Sequence, residues 1–218
     1  GFVRKEVKKL LGADPRNRRN THTFITAIRD FYASHGAWAT QRIKPTIHNY
    51  AELVQAAMAD ELGQDDSTTM APEIEKFVID YSGRFGTRES SESRLQIEAL
   101  ILNDDAAEAA AAINARMDEW DERRPEKIAV AESTQFMAGA AKVLMIAAGV
   151  TILRWVTNPD GCPFCQEMDG RKVGTEQNFV NAGQDVDGGP GTDGPITPSG
   201  NIGHPPLHNN CECDIVAD

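Results

Sequence analysis

All four cysteines lie after residue 160, as Cys162-Pro163-Phe164-Cys165 and then Cys211-Glu212-Cys213, with His208 three residues ahead of Cys211. A two-residue spacer lets one tight turn present two thiolates to one ion, and zinc takes four soft or borderline donors at tetrahedral corners about 2.0 to 2.3 Å away. With 42 positions between Cys165 and His208, the pattern is two half-sites joined by a long connection, as in a zinc ribbon or knuckle. Cys162 and Cys165 form the first half. His208, Cys211 and Cys213 compete for the other two positions, since residues two apart on a strand face the same way. His204 is a sixth candidate if the connection folds back. A closed four-ligand site is structural, so the expected role of zinc is a staple that replaces a hydrophobic core in a small C-terminal lobe.

Other chemistries can be read from the same residues. A strand leading into Cys162-Pro163-Phe164-Cys165 matches the dithiol of glutaredoxin-like oxidoreductases, but those need a helix N-terminus to activate one thiol, and Asp169-Gly170 ends any helix within a turn. Structural disulfides require an oxidising compartment. The string His204-Pro205-Pro206-Leu207-His208-Asn209-Asn210 suggests a zinc-dependent nuclease of the HNH kind, yet only ten residues follow His208, too few for the helix such a site needs. There is no phosphate-cradling glycine loop with Lys and Ser/Thr, no H-E-x-x-H and no G-x-S-x-G.

The elements that must carry these residues are mostly helical. A first helix is expected over Val3–Leu11, ended by Gly12 and Asp14-Pro15, and a second from Thr21 to about Leu62, which Pro45 should kink or divide. Another enters through Pro72, and Gly83 to Thr87 should break it before a helix over 88–102. Asn103 caps an alanine-rich helix ending near Trp120. Asp121-Glu122-Arg123-Arg124 marks a boundary, and Pro125 opens a helix that Gly149 closes. Val150-Thr151-Ile152-Leu153-Arg154-Trp155-Val156 is β-branched and aromatic and reads as a strand delivering the chain to Cys162. Residues 183–203, rich in Gly, Asp and Pro, read as a flexible loop, and Cys211–Val216 as a last strand. The fold class expected is mainly α: a helical N-terminal and central region with a small zinc-stapled β-ribbon lobe, α+β in kind. The expected divisions are a basic helix and hinge over 1–20, a helical domain over 21–124, and a domain over 125–218 that holds the metal site.

With 218 residues, 40% of them apolar and 6% aromatic, the composition favours helices over a β-sandwich. Residues 1–50 carry ten Lys/Arg against three Asp/Glu, and the remainder twelve against thirty, so a +7 head precedes a −18 body. Lys5, Lys8, Lys9, Arg16, Arg18 and Arg19 are candidates for contact with nucleic acid or an acidic partner; a solvated helical face is the alternative reading. The longest uncharged apolar run, Val143 to Leu153, is eleven residues, where a membrane span needs about 20. The start lacks the apolar region of a secretory signal. Gly1 in place of Met marks the chain as a fragment, a processed product or the ordered part of something longer.

Several stretches together resemble the phage Mu F-like minor head proteins, the head-morphogenesis family. They are Ile128-Ala129-Val130-Ala131-Glu132-Ser133, Gly149-Val150 with Arg154-Trp155, Cys162-Pro163-Phe164-Cys165 running on to Asp169-Gly170-Arg171-Lys172-Val173, and Pro205-Pro206-Leu207-His208-Asn209-Asn210-Cys211-Glu212-Cys213. The likeness covers about residues 125–218. The family often has Ala-Arg-Thr-Glu where this chain has Ala129-Val130-Ala131-Glu132, and His-Pro-Asn-Cys-Arg-Cys where it has His208 to Cys213; the candidate ligands survive both changes. The resemblance implies a non-enzymatic, low-copy virion component in the capsid interior at the portal vertex, assembled in the host cytoplasm. It implies the portal protein as partner, with the major capsid protein and packaged DNA as further contacts, and neither a membrane nor a small-molecule substrate. Head assembly, genome packaging or ejection would be the process served, in a separate chain or as a domain fused behind a portal protein or ahead of a toxin.

Overall fold

A computed structural model describes residues 5, 18–63, 71–103 and 106–218. Of the basic residues singled out, Lys5 is helical and exposed, Arg18 and Arg19 open the first long helix, and Lys8, Lys9 and Arg16 lie outside the described residues, as does the rest of the expected first helix. Among the described residues three long helices precede the sheet: α1 (Arg18–Glu61), α2 (Pro72–Asn103) and α3 (Ala106–Ala147). β1 (Ile152–Val156), the short α4 (Pro163–Met168), β2 (Lys172–Gly174) and β3 (Asp214–Ala217) follow, and the strands form one antiparallel sheet in the order β2-β1-β3. The chain is therefore mainly helical with a small C-terminal sheet, an α+β arrangement.

The helices are longer than their punctuation suggests. Gly83 to Thr87 lies inside α2 and does not break it. An interior glycine costs a helix only about 1 kcal/mol, and here Ser82 and Phe85 are buried while Gly86 sits against α1. A Cβ on Gly86 would fall 2.5 Å from the Gly36 carbonyl oxygen and collide with the Thr40 hydroxyl, so the glycine that weakens the local helix permits the close approach of two. Pro45 leaves α1 undivided, and Pro125, expected to open a helix, stands inside α3. A proline there forfeits one backbone hydrogen bond at about 3 kcal/mol. Neighbouring contacts offset it at Pro125: Arg124 donates to the Glu89 carboxylate at 2.9 Å and to Ser93 Oγ at 2.8 Å, with its guanidinium 4.7 Å from the Trp120 ring centroid.

The chain resolves into two compact units, one of residues 1–46 with 79–126 and the other of 47–78 with 127–218. These divisions fall next to Pro45 and Pro125, and they assign residues 47–78 to the unit that holds the sheet. In the first unit, Ile28, Tyr32, Ile97, Ile113 and Met117 form the core, with Phe24, Phe31, Leu100, Ile101 and Trp120 packed on it. Beside that core Glu98, 7% exposed, takes a two-pronged hydrogen bond from Arg29 (2.9 and 3.1 Å) and another from Arg94 at 2.9 Å.

The hydrogen bond from Arg29 holds the Glu98 carboxyl below its ordinary value of 4.5; partial burial opposes the shift, and Arg94 adds to it. Because the folded-state value is depressed, the stability Glu98 contributes is complete above the ordinary value and is lost as pH falls through the lower, folded-state one. Urea midpoints of the wild-type protein and Glu98→Gln, measured from pH 7 to pH 3, are expected to start apart with the wild type higher and to converge at the acid end. A gap that stays constant with pH contradicts this role.

The second unit has two parts. Ile47, Ala51, Val54, Ile74, Val78, Phe136, Ala140 and Met145 bury the helical part, with the Phe77 and Phe136 rings 5.5 Å apart. The sheet part has an apolar core of its own: Leu153, Trp155, Met168, Val180, Val186 and Ile215 are each at most 2% exposed. A zinc staple is thus not a substitute for a core in this lobe, contrary to the expectation from its small size.

Residues 183–203 also depart from the flexible loop read from their composition. The segment doubles back as an irregular arm, with Val180 bridged to Ile202 and Val186 to Ile196, and Gly183 N–H donating to the Pro198 carbonyl at 2.8 Å. The sparse apolar residues of this stretch are its anchors, and Gly and Pro fill the turns between them. At the tip, Gly188 packs so closely on Phe164 of α4 that a Cβ would lie 2.8 Å from the ring.

Candidate metal centre

β1 alternates exposed and buried residues, and the inward set Leu153, Trp155 and Thr157 leads into a turn at 158–161. Gly161 N–H donates to the Asn158 carbonyl at 2.7 Å. A Cβ on Gly161 would lie 2.5 Å from Thr157 Cγ2 and 3.4 Å from Cys165 Cβ, so only glycine lets the chain re-enter this tightly. Cys162 stands at the N-cap of α4 with Pro163 in the first turn, and Gln166 N–H donates to the Cys162 carbonyl at 3.0 Å. α4 stops where expected, at Asp169, and Gly170 takes a left-handed φ of 72°. Asp169 turns back to accept the Thr157 N–H at 2.8 Å. This knuckle fixes the first thiol pair.

The second half-site comes from the approach to β3. The Val156–Asp214 pairing sets the register, and Cys211, Cys213 and Ile215 all face inward and are buried. Cys211 N–H donates to the His208 carbonyl at 3.2 Å, closing a turn that sets His208 beside the thiols. The five candidates converge. His208 Nε2 lies 3.1 Å from Cys162 Sγ and 3.2 Å from Cys165 Sγ, and Cys165 Sγ lies 3.8 Å from Cys211 Sγ. Cys162, Cys165 and His208 have donor atoms within 4.8 Å of one another, and so do Cys165, Cys211 and Cys213. Cys165 belongs to both groups.

All four cysteines are free thiols, three buried and Cys162 half-buried. Burial pushes the Cys165 thiol up to about 12, with the negative charge of Cys211 adding to it. Cys211 is lowered to about 5, chiefly by its hydrogen bond with Cys213, and Cys213 is raised by that same bond and by burial. Burial opposes ionisation of Cys162, but hydrogen bonds from Cys165 and the charge of His208 outweigh it and lower the value. His208 is raised despite burial, by the Asn209 carbonyl and the Cys162 and Cys211 thiolates. Such a cluster is electrostatically crowded with protons that a cation would displace.

Three of the donor contacts have lengths close to those of a tetrahedral cation. Bonds near 2.3 Å to sulfur and 2.0 to 2.1 Å to nitrogen imply tetrahedron edges of about 3.8 Å between sulfurs and about 3.5 Å between nitrogen and sulfur. The 3.8 Å sulfur pair matches, and the two histidine contacts fall within half an ångström. His204, the sixth candidate, is elsewhere: its Nδ1 is 2.6 Å from the Pro205 carbonyl oxygen and its Nε2 faces Gly139 of α3. It belongs to the docking of the 178–204 segment on α3, where Lys142 Nζ also donates to the Gly203 carbonyl at 3.0 Å.

Thr157 is a residue of this site that the motif did not reveal. Its hydroxyl donates to the Cys165 carbonyl at 2.7 Å and lies 3.6 Å from Cys213 Sγ. The available signal was positional: continuing the β1–β3 register by one rung places Thr157 opposite Cys213.

These features define a chain of helices followed by a small antiparallel lobe with a Cys/His cluster able to hold a metal. No family model, no curated protein and no solved structure matches it.

Proposed function

We propose that this chain is a structural, non-enzymatic protein whose C-terminal lobe is stapled by one zinc ion, and that it serves phage head morphogenesis as a portal-associated minor head protein. The observation that carries the metal reading is the meeting of two half-sites 42 positions apart in sequence at sulfur and nitrogen separations a tetrahedral ion would span. Two three-donor groups of thiols and an imidazole that share Cys165 favour zinc among the common cations, because thiolates select it over magnesium or calcium. A dithiol oxidoreductase would need Cys162 and Cys165 alone; here the second half-site crowds them.

The head-protein reading is supported by the motif and by how it folds. Asp169-Gly170-Arg171-Lys172-Val173 forms the turn into β2, and Pro205 to Cys213 supplies the second half-site, so separate pieces of the resemblance serve one lobe. The basic residues Lys5, Lys8, Lys9, Arg16, Arg18 and Arg19 would meet the portal or packaged DNA, with the major capsid protein as a further neighbour, inside the capsid near the portal vertex. Quantitative mass spectrometry of purified particles tests this. The chain is expected at a few copies per virion and depleted from heads assembled without portal; absence from virions, or equal abundance in heads without portal, contradicts the assignment.

A further inference from the structure

The five donors fall into two groups of three rather than one group of four: Cys162, Cys165 and His208 make the first, and Cys165, Cys211 and Cys213 the second. We propose that the cluster also takes two copper(I) ions together, one in each group, with the Cys165 thiolate bridging them in place of a single zinc. The inference rests on the metal reading above and adds a second class of ion to that site.

The position of Cys165 carries it furthest. His208 Nε2 lies 3.2 Å from its sulfur and Cys211 Sγ 3.8 Å, and the Cys162 and Cys213 thiols come within hydrogen-bonding reach of the same atom. A thiolate sulfur has lone pairs enough to bind an ion on each side, so the residue common to both groups is placed as a bridge. The size of each group points to the ion. Zinc takes four donors, so either group must borrow a ligand from the other to complete a zinc shell. Copper(I) is a soft, closed-shell ion suited to thiolate and imidazole; a trigonal set satisfies it, and nothing has to be borrowed. Two such ions also bring the same total charge as one zinc, so the thiolates are neutralised to the same extent. Burial separates this pairing from a pair of zinc ions. Cys165, Cys211 and Cys213 are all buried, whereas Cys162 and His208 are half-buried. The second group is thus closed to the water with which a second zinc would fill its fourth position, and the first group is the side from which ions enter.

Anaerobic titration of the full, zinc-loaded chain with copper(I) held by a chromophoric chelator, followed by native mass spectrometry, counts the ions; the chelator strips copper that is held only adventitiously. The expected result is release of the zinc and two copper ions per chain, with copper–copper scattering in the X-ray absorption spectrum that reports the shared sulfur. Cys213→Ser and Cys162→Ser, which each remove a donor from a different group, are expected to hold one copper and to lose that scattering. Any wild-type count other than two, two coppers without copper–copper scattering, or a variant that keeps both ions overturns the bridged pair and leaves the zinc staple standing. A wild-type chain that binds neither zinc nor copper overturns the metal centre itself.

Discussion

Stripping the metal from the wild-type protein is expected to lower the stability of the C-terminal unit by at least about 4 kcal/mol, the linkage value for free metal a thousandfold above its dissociation constant. The loss is local. Hydrogen exchange should accelerate at the knuckle of residues 157–170, at 205–213 and in the strands they brace, while amides of the first unit keep their protection, because the core of Ile28, Tyr32, Ile97, Ile113 and Met117 makes no use of the site. The sheet lobe should loosen rather than disappear, since Leu153, Trp155, Met168, Val180, Val186 and Ile215 stay buried together. Cys165→Ala should reproduce the same pattern without chelator and make the protein insensitive to chelator, because Cys165 is common to both donor groups. Equal protection in metal-loaded and stripped protein is the outcome that contradicts a staple.

The second large effect lies next to the site. Trp155 is fully buried on β1, its ring 5.2 Å from Phe179 in an edge-to-face pair, and its backbone ties both flanks of the knuckle. Trp155 N–H donates to the Arg171 carbonyl at 2.8 Å, and its own carbonyl accepts from Gly170 N–H at 2.9 Å. Trp155→Ala empties the centre of the lobe and should cost about 3 to 5 kcal/mol, the range for removing a large buried aromatic. The Trp155 side chain reaches the Cys213 thiol, so metal affinity should fall as well. Urea unfolding followed at the C-terminal unit, with zinc competition in parallel, checks both; a stability change under 1 kcal/mol would mean that the lobe is held by the metal centre rather than by packing.

What could be read from the sequence followed the range of the interaction. The thiol pairs and β1 were legible because each is local: a two-residue spacer, and a run of β-branched and aromatic residues. The helices were legible as helices, but their ends were misjudged wherever a long-range contact overruled a local signal. Gly86 reads as a breaker until Gly36 and Thr40 are found against it, and Pro125 reads as a start until Arg124 is found bound to Glu89 and Ser93. β2 is three residues long and has no periodicity to detect; its pairing of Val173 with Leu153 creates it. The arm over residues 178–202 was hidden by its composition, since Val180, Val186, Ile196 and Ile202 are too sparse to form a pattern and meet only when the chain doubles back. The same limit applied inside the site. Five donors were visible by type, but their order of approach, the exclusion of His204 and the place of Thr157 depend on a register that no single segment contains.

Native mass spectrometry of the intact chain, purified without chelator, tests the central claim most directly. The account predicts one zinc per chain with all four cysteines unoxidised. A metal-free chain lighter by the hydrogens lost to one or two disulfides would contradict it, and would turn the same cysteines into a redox or covalent site.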